Sequence, residues 1–333
     1  MKNINVSIFG STGYIGLELI RLLQLHPAFE VQYLYGPHHA GKKLSDIYPH
    51  LSGIVDLDFM SLNASEIAEQ SDLIFLCLPH GVTHKIMPEV FGKTKIIDLS
   101  GDFRHKDSEI YKQYYGETHP CPELIKKFEY MIPEIQNKKS DYIANAGCFA
   151  SAIQLALFPI KKYIDKISIM AVTGSSGSGK KHTSNTHHPL RSQNIKSYKI
   201  GSHQHLPEIC QTLDINTEQI QFVPTSGPFV RGIFATCFVD LNKKSELLEI
   251  KKIYKNYYQN APFIRIKNSV QLVDVVGSNF CDISLDKINN QIIIQVCLDN
   301  LIKGASGSAI QNANIMFDLP QETGLKILSP VFP

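Results

Sequence analysis

The stretch "INVSIFGSTGYIGLELIRLLQLHP", residues 4–27, decides the fold. "INVSIFG" is a short apolar run of strand character. "YIGLELIRLLQLHP" then places Ile15, Leu19, Leu22 and Leu23 near one helical face, with Pro27 just past its end. Between them Gly10, Gly13 and Gly16 stand in a G-x-x-G-x-x-G spacing. Gly10 permits a tight turn, Gly13 lets a phosphate approach backbone N–H groups, and Gly16 lets the helix pack closely on the strand. Glycines also serve plain turns, so the spacing alone is weak. The strand before it and the amphipathic helix after it favour a dinucleotide-binding turn, with Ser11, Thr12, Tyr14 and Ile15 as its other members.

Working outward, "EVQYLYG", "DLIFLCLP" and "KIIDLSGDF" read as further buried strands, and strands alternating with helices imply a parallel, doubly wound sheet. Pro79, with His80 and Gly81, follows a strand end where dinucleotides cross such a sheet. The second strand ends in "YLYGPHHAGKK". It carries no acid for a ribose 2′-hydroxyl and has Lys42 and Lys43 nearby, which favours NADP over NAD. Beyond about residue 150 the segments "KISIMAVTG", "GIFATCFVDL", "FIRIKN" and "DISLDKINNQIIIQVCLDN" are longer and alternating, with "INNQ" as a turn. They predict a second, largely antiparallel domain. "SGSAIQNANIMFDLP" predicts a closing helix, so the fold class is α/β plus α+β.

Bulk properties narrow the function. A chain of 333 residues has room for two cores. With 43% hydrophobic and 19% charged residues it has the composition of a globular protein. A net charge of +2 argues against nucleic acid and against a strongly charged partner surface. No apolar run reaches the ~20 residues of a membrane span, and the opening residues run straight into a strand, so no signal peptide is expected. Seven cysteines without a Cys-x-x-Cys pair suit a reducing cytoplasm.

The chemistry centres on "ANAGCFAS", residues 144–151, where Cys148 follows a glycine at a switch from strand to helix. A lone cysteine with apolar neighbours is more often core filler. As a nucleophile it would need an imidazole beside it, and "HQHLPE", residues 203–208, offers His203 and His205. His182, His187 and His188 add to the count, but no zinc-ligand spacing is present, so no metal is expected. "GSSGSGKK", residues 174–181, has the G-x-x-x-x-G-K spacing of a phosphate loop. Lys181 stands where Ser or Thr should hold magnesium, so the segment reads instead as a polar loop beside a substrate, with Ser176 in it.

"GSTGYIGLELIRLLQLHP", "DLSGDFR", "NAGCFAS", "HQHLPEI", "FVPTSGPFVRGI" and "KGASGSAIQNAN" together resemble, in order and over essentially the whole chain, the N-acetyl-gamma-glutamyl-phosphate reductases of arginine biosynthesis. The resemblance implies a Rossmann-type NADP-binding domain at 1–147, completed by a C-terminal helix of about 304–333. It implies an aspartate-semialdehyde-dehydrogenase-like catalytic and oligomerisation domain at 148–303, and a homodimer or homotetramer. By the same resemblance Cys148 forms a thioester from the acyl phosphate and hydride from NADPH releases the semialdehyde. His205 is then the acid/base, with His203 as the competing choice and Glu208 as its orienter. Arg104 and Arg231 become anion anchors, each with a structural ion pair as the alternative reading (Asp98 or Asp102 for Arg104), and Asn312 approaches the nicotinamide. The family pattern Asn-Pro-Gly-Cys-Tyr-Pro-Thr is altered to Ala146, Phe149, Ala150 and Ser151, which bears on the pocket floor. "THHPLR", residues 186–191, resembles the sister reductases of lysine biosynthesis, whose substrates ride on an acidic amino-group carrier protein. The basic "GKKHTSNTHHPLR" would suit such a partner, although a free small acyl phosphate is the favoured substrate. Aspartate-semialdehyde dehydrogenase is an alternative enzyme, and an NADP-binding sensor the alternative without catalysis.

Overall fold

The computed structural model describes residues 3–243 and 245–326. The chain divides into two compact units. Among the described residues, one comprises 3–131, 138–145 and 309–325; the other holds 132–137, 146–243, 245–308 and 326. Of the expected C-terminal segment, residues 327–333 lie outside the described residues.

The first unit is built on six parallel strands: β1 (Ile4–Phe9), β2 (Phe29–Tyr35), β3 (Leu73–Leu76), β4 (Lys95–Asp98), β5 (Glu129–Met131) and β6 (Tyr142–Asn145). They lie in the order β2-β1-β3-β4-β6-β5. The chain leaves β1 for β2 on one side and returns to β3 on the other, so the glycine turn after β1 sits where the winding reverses. The strands read as apolar runs because both faces are covered: Ile74, Leu76 and Ile96 pack with Ala64, Ile67, Met87 and Val90 of the flanking helices.

A histidine joins the chain's two ends within this unit. His26 follows the first helix (Tyr14–Leu23) and is buried. Its Nδ1 accepts the amides of Ala28 and Phe29 at 3.2 and 3.0 Å, which places the proton on Nε2. Nε2 faces Asn314 Oδ1 at 3.0 Å, on the C-terminal helix (Gly307–Met316).

The second unit carries seven strands: β7 (Ile164–Thr173), β8 (Lys196–Ser197), β9 (Ile220–Ser226), β10 (Ile233–Leu241), β11 (Ile264–Lys267), β12 (Cys281–Ile288) and β13 (Gln291–Leu298). Their order is β11-β12-β13-β10-β7-β9-β8. The centre, β12-β13-β10-β7, is antiparallel, while β11–β12 and β7–β9 pair in parallel, so the sheet is mixed. A parallel pair needs a crossover, and the long polar loop and the Leu206–Leu213 helix between β7 and β9 supply one. The "INNQ" turn joins β12 to β13 as a tight hairpin with Asn289 at φ +54°, a conformation asparagine tolerates. Ile167, Ile169 and Ala171 of β7 and Ala235, Cys237 and Val239 of β10 point to the buried face. Against it lies the Cys148–Leu157 helix, buried at every residue after the first. Tyr254 and Tyr258 donate to its C-terminal carbonyls at Ala156 and Leu155. Among the described residues no helix is long and apolar enough to cross a membrane.

Burial holds the pKa of His26 below its usual value. The native state therefore binds fewer protons here than the unfolded chain below pH ~6.5. The stabilisation is fully present above that pH and is lost as the pH falls through it. In urea unfolding, the stability difference between the wild type and His26→Gln should be largest near pH 7.5 and shrink as the pH drops below 6. A difference independent of pH would remove the proton linkage.

Candidate active site

Cys148 is the first residue of its helix, separated from β6 by Ala146 and Gly147. Gly147 precedes it in extended conformation (φ −70°, ψ 153°) and offers no side-chain cap. Helix geometry leaves the first-turn amides without carbonyls in the helix itself, and the positive end of the helix dipole lies at the same place. The thiol is half-buried, and its far side is closed off by Gly304: a Cβ there would stand 2.8 Å from Cys148 Cβ. Gly304 belongs to a π-helical turn, Ile302–Ser306, held in the middle by a fully buried ion pair of Lys303 Nζ with Glu134 Oε1 at 2.6 Å. π-turns of this kind occur preferentially at functional sites.

The Leu206–Leu213 helix packs beside the cysteine helix. Its fully buried Glu208 accepts the Gly147 amide through Oε2 at 2.9 Å, while Oε1 stands 4.0 Å from His205 Nε2. One carboxylate thus links the entry to Cys148 with an imidazole. His203 plays a different part. Its Nδ1 accepts the His205 amide at 3.1 Å, and burial, then His205 and Lys199, push its pKa far below the usual value. His203 is therefore neutral at any physiological pH and positions the His205 backbone. Both rings meet Phe149 edge-on, at 5.5 and 6.3 Å. The Tyr198 ring lies 5.7 Å from His203, and burial first, then Cys148, push the pKa of its phenol up.

The glycine turn of the first unit has the features of a phosphate cradle. Gly10 has φ +87°, and a Cβ there would meet the Cys77 carbonyl oxygen at 2.6 Å. At Gly16 a Cβ would come within 2.6 Å of Gly10 O and Ser11 Cα, so helix and turn require glycine there. Gly13 differs, since its Cβ would make only an ordinary 3.5 Å contact with Gly10 O. Nothing in the protein demands glycine at that position. Ser11 Oγ is buried without a hydrogen-bond partner, and Tyr14 is exposed. Tyr48 holds the turn by donating to the Thr12 carbonyl at 2.7 Å. An orphaned hydroxyl and a sterically unneeded glycine fit a dinucleotide phosphate.

Residues 5–143 match the semialdehyde dehydrogenase NAD binding domain, and residues 148–300 match the semialdehyde dehydrogenase dimerisation domain. The chain is 41% identical, over 99% of its length and all of theirs, to the N-acetyl-gamma-glutamyl-phosphate reductases of Halothermothrix orenii and Listeria welshimeri. To that of Acetivibrio thermocellus it is 38% identical, over 96% of this chain and 97% of the other. The chain belongs to the N-acetyl-gamma-glutamyl-phosphate reductase family. In fold, this family member is similar to aspartate semialdehyde dehydrogenase II from Vibrio cholerae complexed with ASA (TM-score 0.72, 15% identity, 96% of this chain and 99% of that one). It is also similar to the aspartate semialdehyde dehydrogenase with NADP from Candida albicans (TM-score 0.71, 16% identity, 95% and 99%).

Other residues singled out in the reductase sequence turn inward. Arg104 is buried and donates to the carbonyls of Asn145 and Leu99, both at 2.8 Å. Asn312 donates to Asn145 Oδ1 at 3.0 Å, so both residues secure the last residue of β6. Arg231 faces the buried Asp299 with both sides of its fork, at 3.1 and 3.2 Å. Ser176 Oγ donates to the Val230 carbonyl at 2.7 Å and meets Asn300. Pro79 is exposed at the end of β3. Lys43 pairs with Asp56 at 3.2 Å on the exposed surface, a contact too weak to hold it from a 2′-phosphate. Gly304 and Tyr198 were missed in the sequence, because neither carries a local signal of its distant neighbour.

Glu208→Ala would leave the buried Gly147 amide without this acceptor. It should cost about 1–3 kcal/mol of stability in urea unfolding. Glu208→Gln retains an acceptor oxygen and should cost less in stability while still slowing turnover. Equal stability losses for the two variants would show that the amide contact is not what the carboxylate contributes.

Proposed function

We propose that this protein reduces N-acetyl-gamma-glutamyl phosphate to N-acetyl-glutamate 5-semialdehyde and phosphate, with NADPH, in cytoplasmic arginine biosynthesis. The observation that carries this reading is the half-exposed Cys148 at a helix N-terminus, with Glu208 tying its entry to His205. The helix end favours negative charge on the sulfur. The thiolate attacks the acyl carbon, the carbon–oxygen bond to phosphorus breaks, and phosphate departs with the electron pair, leaving an acyl thioester on Cys148. The glycine turn Gly10–Gly16 would hold NADPH, which would supply a hydride for that carbonyl carbon. The oxyanion formed in each half of the reaction is stabilised by first-turn amides. Collapse expels the Cys148 sulfur and releases the aldehyde. His205 handles the proton because His203 is committed as an acceptor, and Glu208 orients it.

The unit that matches a dimerisation domain leaves Met170 and Phe238 exposed on the sheet face opposite the cysteine helix. A second copy of the chain covers that face in this reading. Phe238→Asp should then shift the protein to a lower mass in light scattering, and an unchanged mass would place the contact elsewhere.

The assay runs in reverse, with purified protein, phosphate, NADP and N-acetyl-glutamate 5-semialdehyde. Robust NADP reduction is expected. Cys148→Ser should abolish it with NADP binding intact, and His205→Asn should lose a factor of ~10²–10⁴. Silence of the wild type, relieved only by a semialdehyde linked to an acidic carrier protein, would transfer the reading to carrier-bound substrates.

A further inference from the structure

An acyl phosphate route has two kinds of oxyanion to hold: the departing phosphate and the carboxylate at the other end of the acyl chain. Guanidinium groups suit both, because their fork matches two oxygens at once. The arginines of this chain are not equally placed for the task. Arg21 pairs with Glu18, Arg231 with Asp299 and Arg265 with Asp282, while Arg104 donates to two carbonyls.

Arg191 is different. Its Nε and Nη2 are buried and meet no hydrogen-bond acceptor among the described residues. It ends the short helical turn His188–Arg191 inside the polar loop that leads to β8. Burying a cation without an anion is costly, and a guanidinium keeps its proton even so. From Arg191 the chain runs directly to Tyr198, whose amide donates to the Pro224 carbonyl at 3.0 Å. The Tyr198 ring stands against His203, and His203 against Phe149, the residue after Cys148. Burial pushes the pKa of the Tyr198 phenol up, Cys148 adds to that rise, and Arg191 opposes it. The surrounding Lys180, Lys181, His182, His187 and His188 are all exposed, where salt screens them.

We propose that Arg191 is the side chain that grips a substrate oxyanion on the Tyr198 side of Cys148. This assignment rests on the reductase reading and deepens it. The sequence places Arg191 in a basic patch that would suit a macromolecular partner, whereas its sheltered Nε and Nη2 suit a small anion.

The reverse reaction separates the two candidate oxyanions, because phosphate and the semialdehyde are independent substrates with their own KM values. Arg191→Gln should raise one of these KM values roughly ten- to a hundredfold. It should leave kcat within a few-fold, and the KM for NADP and the melting temperature unchanged. Arg191→Lys should recover only part of the loss, since an ammonium cannot supply the fork. A rise for phosphate assigns the leaving group, and a rise for the semialdehyde assigns the carboxylate. Neither KM moving would overturn the proposal. If the wild type does not turn over these substrates, the reductase reading fails separately. Arg191 is then judged by whether inorganic phosphate or N-acetylglutamate slows iodoacetamide labelling of Cys148. Protection in the wild type that is lost in Arg191→Gln supports the anchor. Equal protection in both, or none in the wild type, sinks it.

Discussion

The start of the cysteine helix depends on a single carboxylate. Glu208 is fully buried, and it reaches the Gly147 amide at 2.9 Å from a helix that begins some sixty residues further along the chain. A buried carboxylate without hydrogen bonds would be costly, so the position of the Leu206–Leu213 helix and the extended conformation of Gly147 require one another. Once that contact is made, His205 lies at the other oxygen, and His203 accepts the His205 amide from behind. Histidine pairs of this kind are hard to separate by sequence. Here one ring nitrogen already accepts an N–H, and that divides their roles.

A second constraint closes the other side of the thiol. Gly304 approaches Cys148 so closely that no side chain fits between them. The turn that carries it is π-helical, and a buried Lys303–Glu134 pair holds it in place. Asp299, at the entry to that turn, takes Arg231 together with the amides of Gly277, Leu301 and Ile302. The Lys303–Glu134 and Arg231–Asp299 pairs therefore fix the backbone of the turn that carries Gly304. Buried ion pairs contribute little net stability against well-packed apolar residues, but they oppose alternative arrangements strongly, since a broken pair leaves a buried charge.

The same logic explains why charged residues in motif-like positions face inward. Arg104 lies in "DLSGDFR" beside two acids, yet its hydrogen bonds go to the carbonyls of Leu99 and Asn145 and fix the strand that leads to Cys148. Asn312 secures the same strand end through the Asn145 side chain. Carbonyls at strand ends have no partner within the sheet, and a buried guanidinium with five donors satisfies several at once.

The sequence by itself determined the parts whose signals are local. The glycine spacing after β1, the alternation of β7, β10, β12 and β13, the "INNQ" hairpin and the strand-to-helix switch at Gly147-Cys148 all follow from period and backbone sterics within about ten residues. Ordered motifs placed the chain in its family for the same reason. The tertiary structure alone decided what depends on distant partners: which β-strands pair in parallel at the flanks of the second sheet, which histidine holds the other, and which arginines are already committed. A side chain's pairing is set by the acceptors that folding brings within 3 Å of it. For Gly304 and Glu208, the neighbours that give them meaning lie far away in the chain, and no local pattern records that distance.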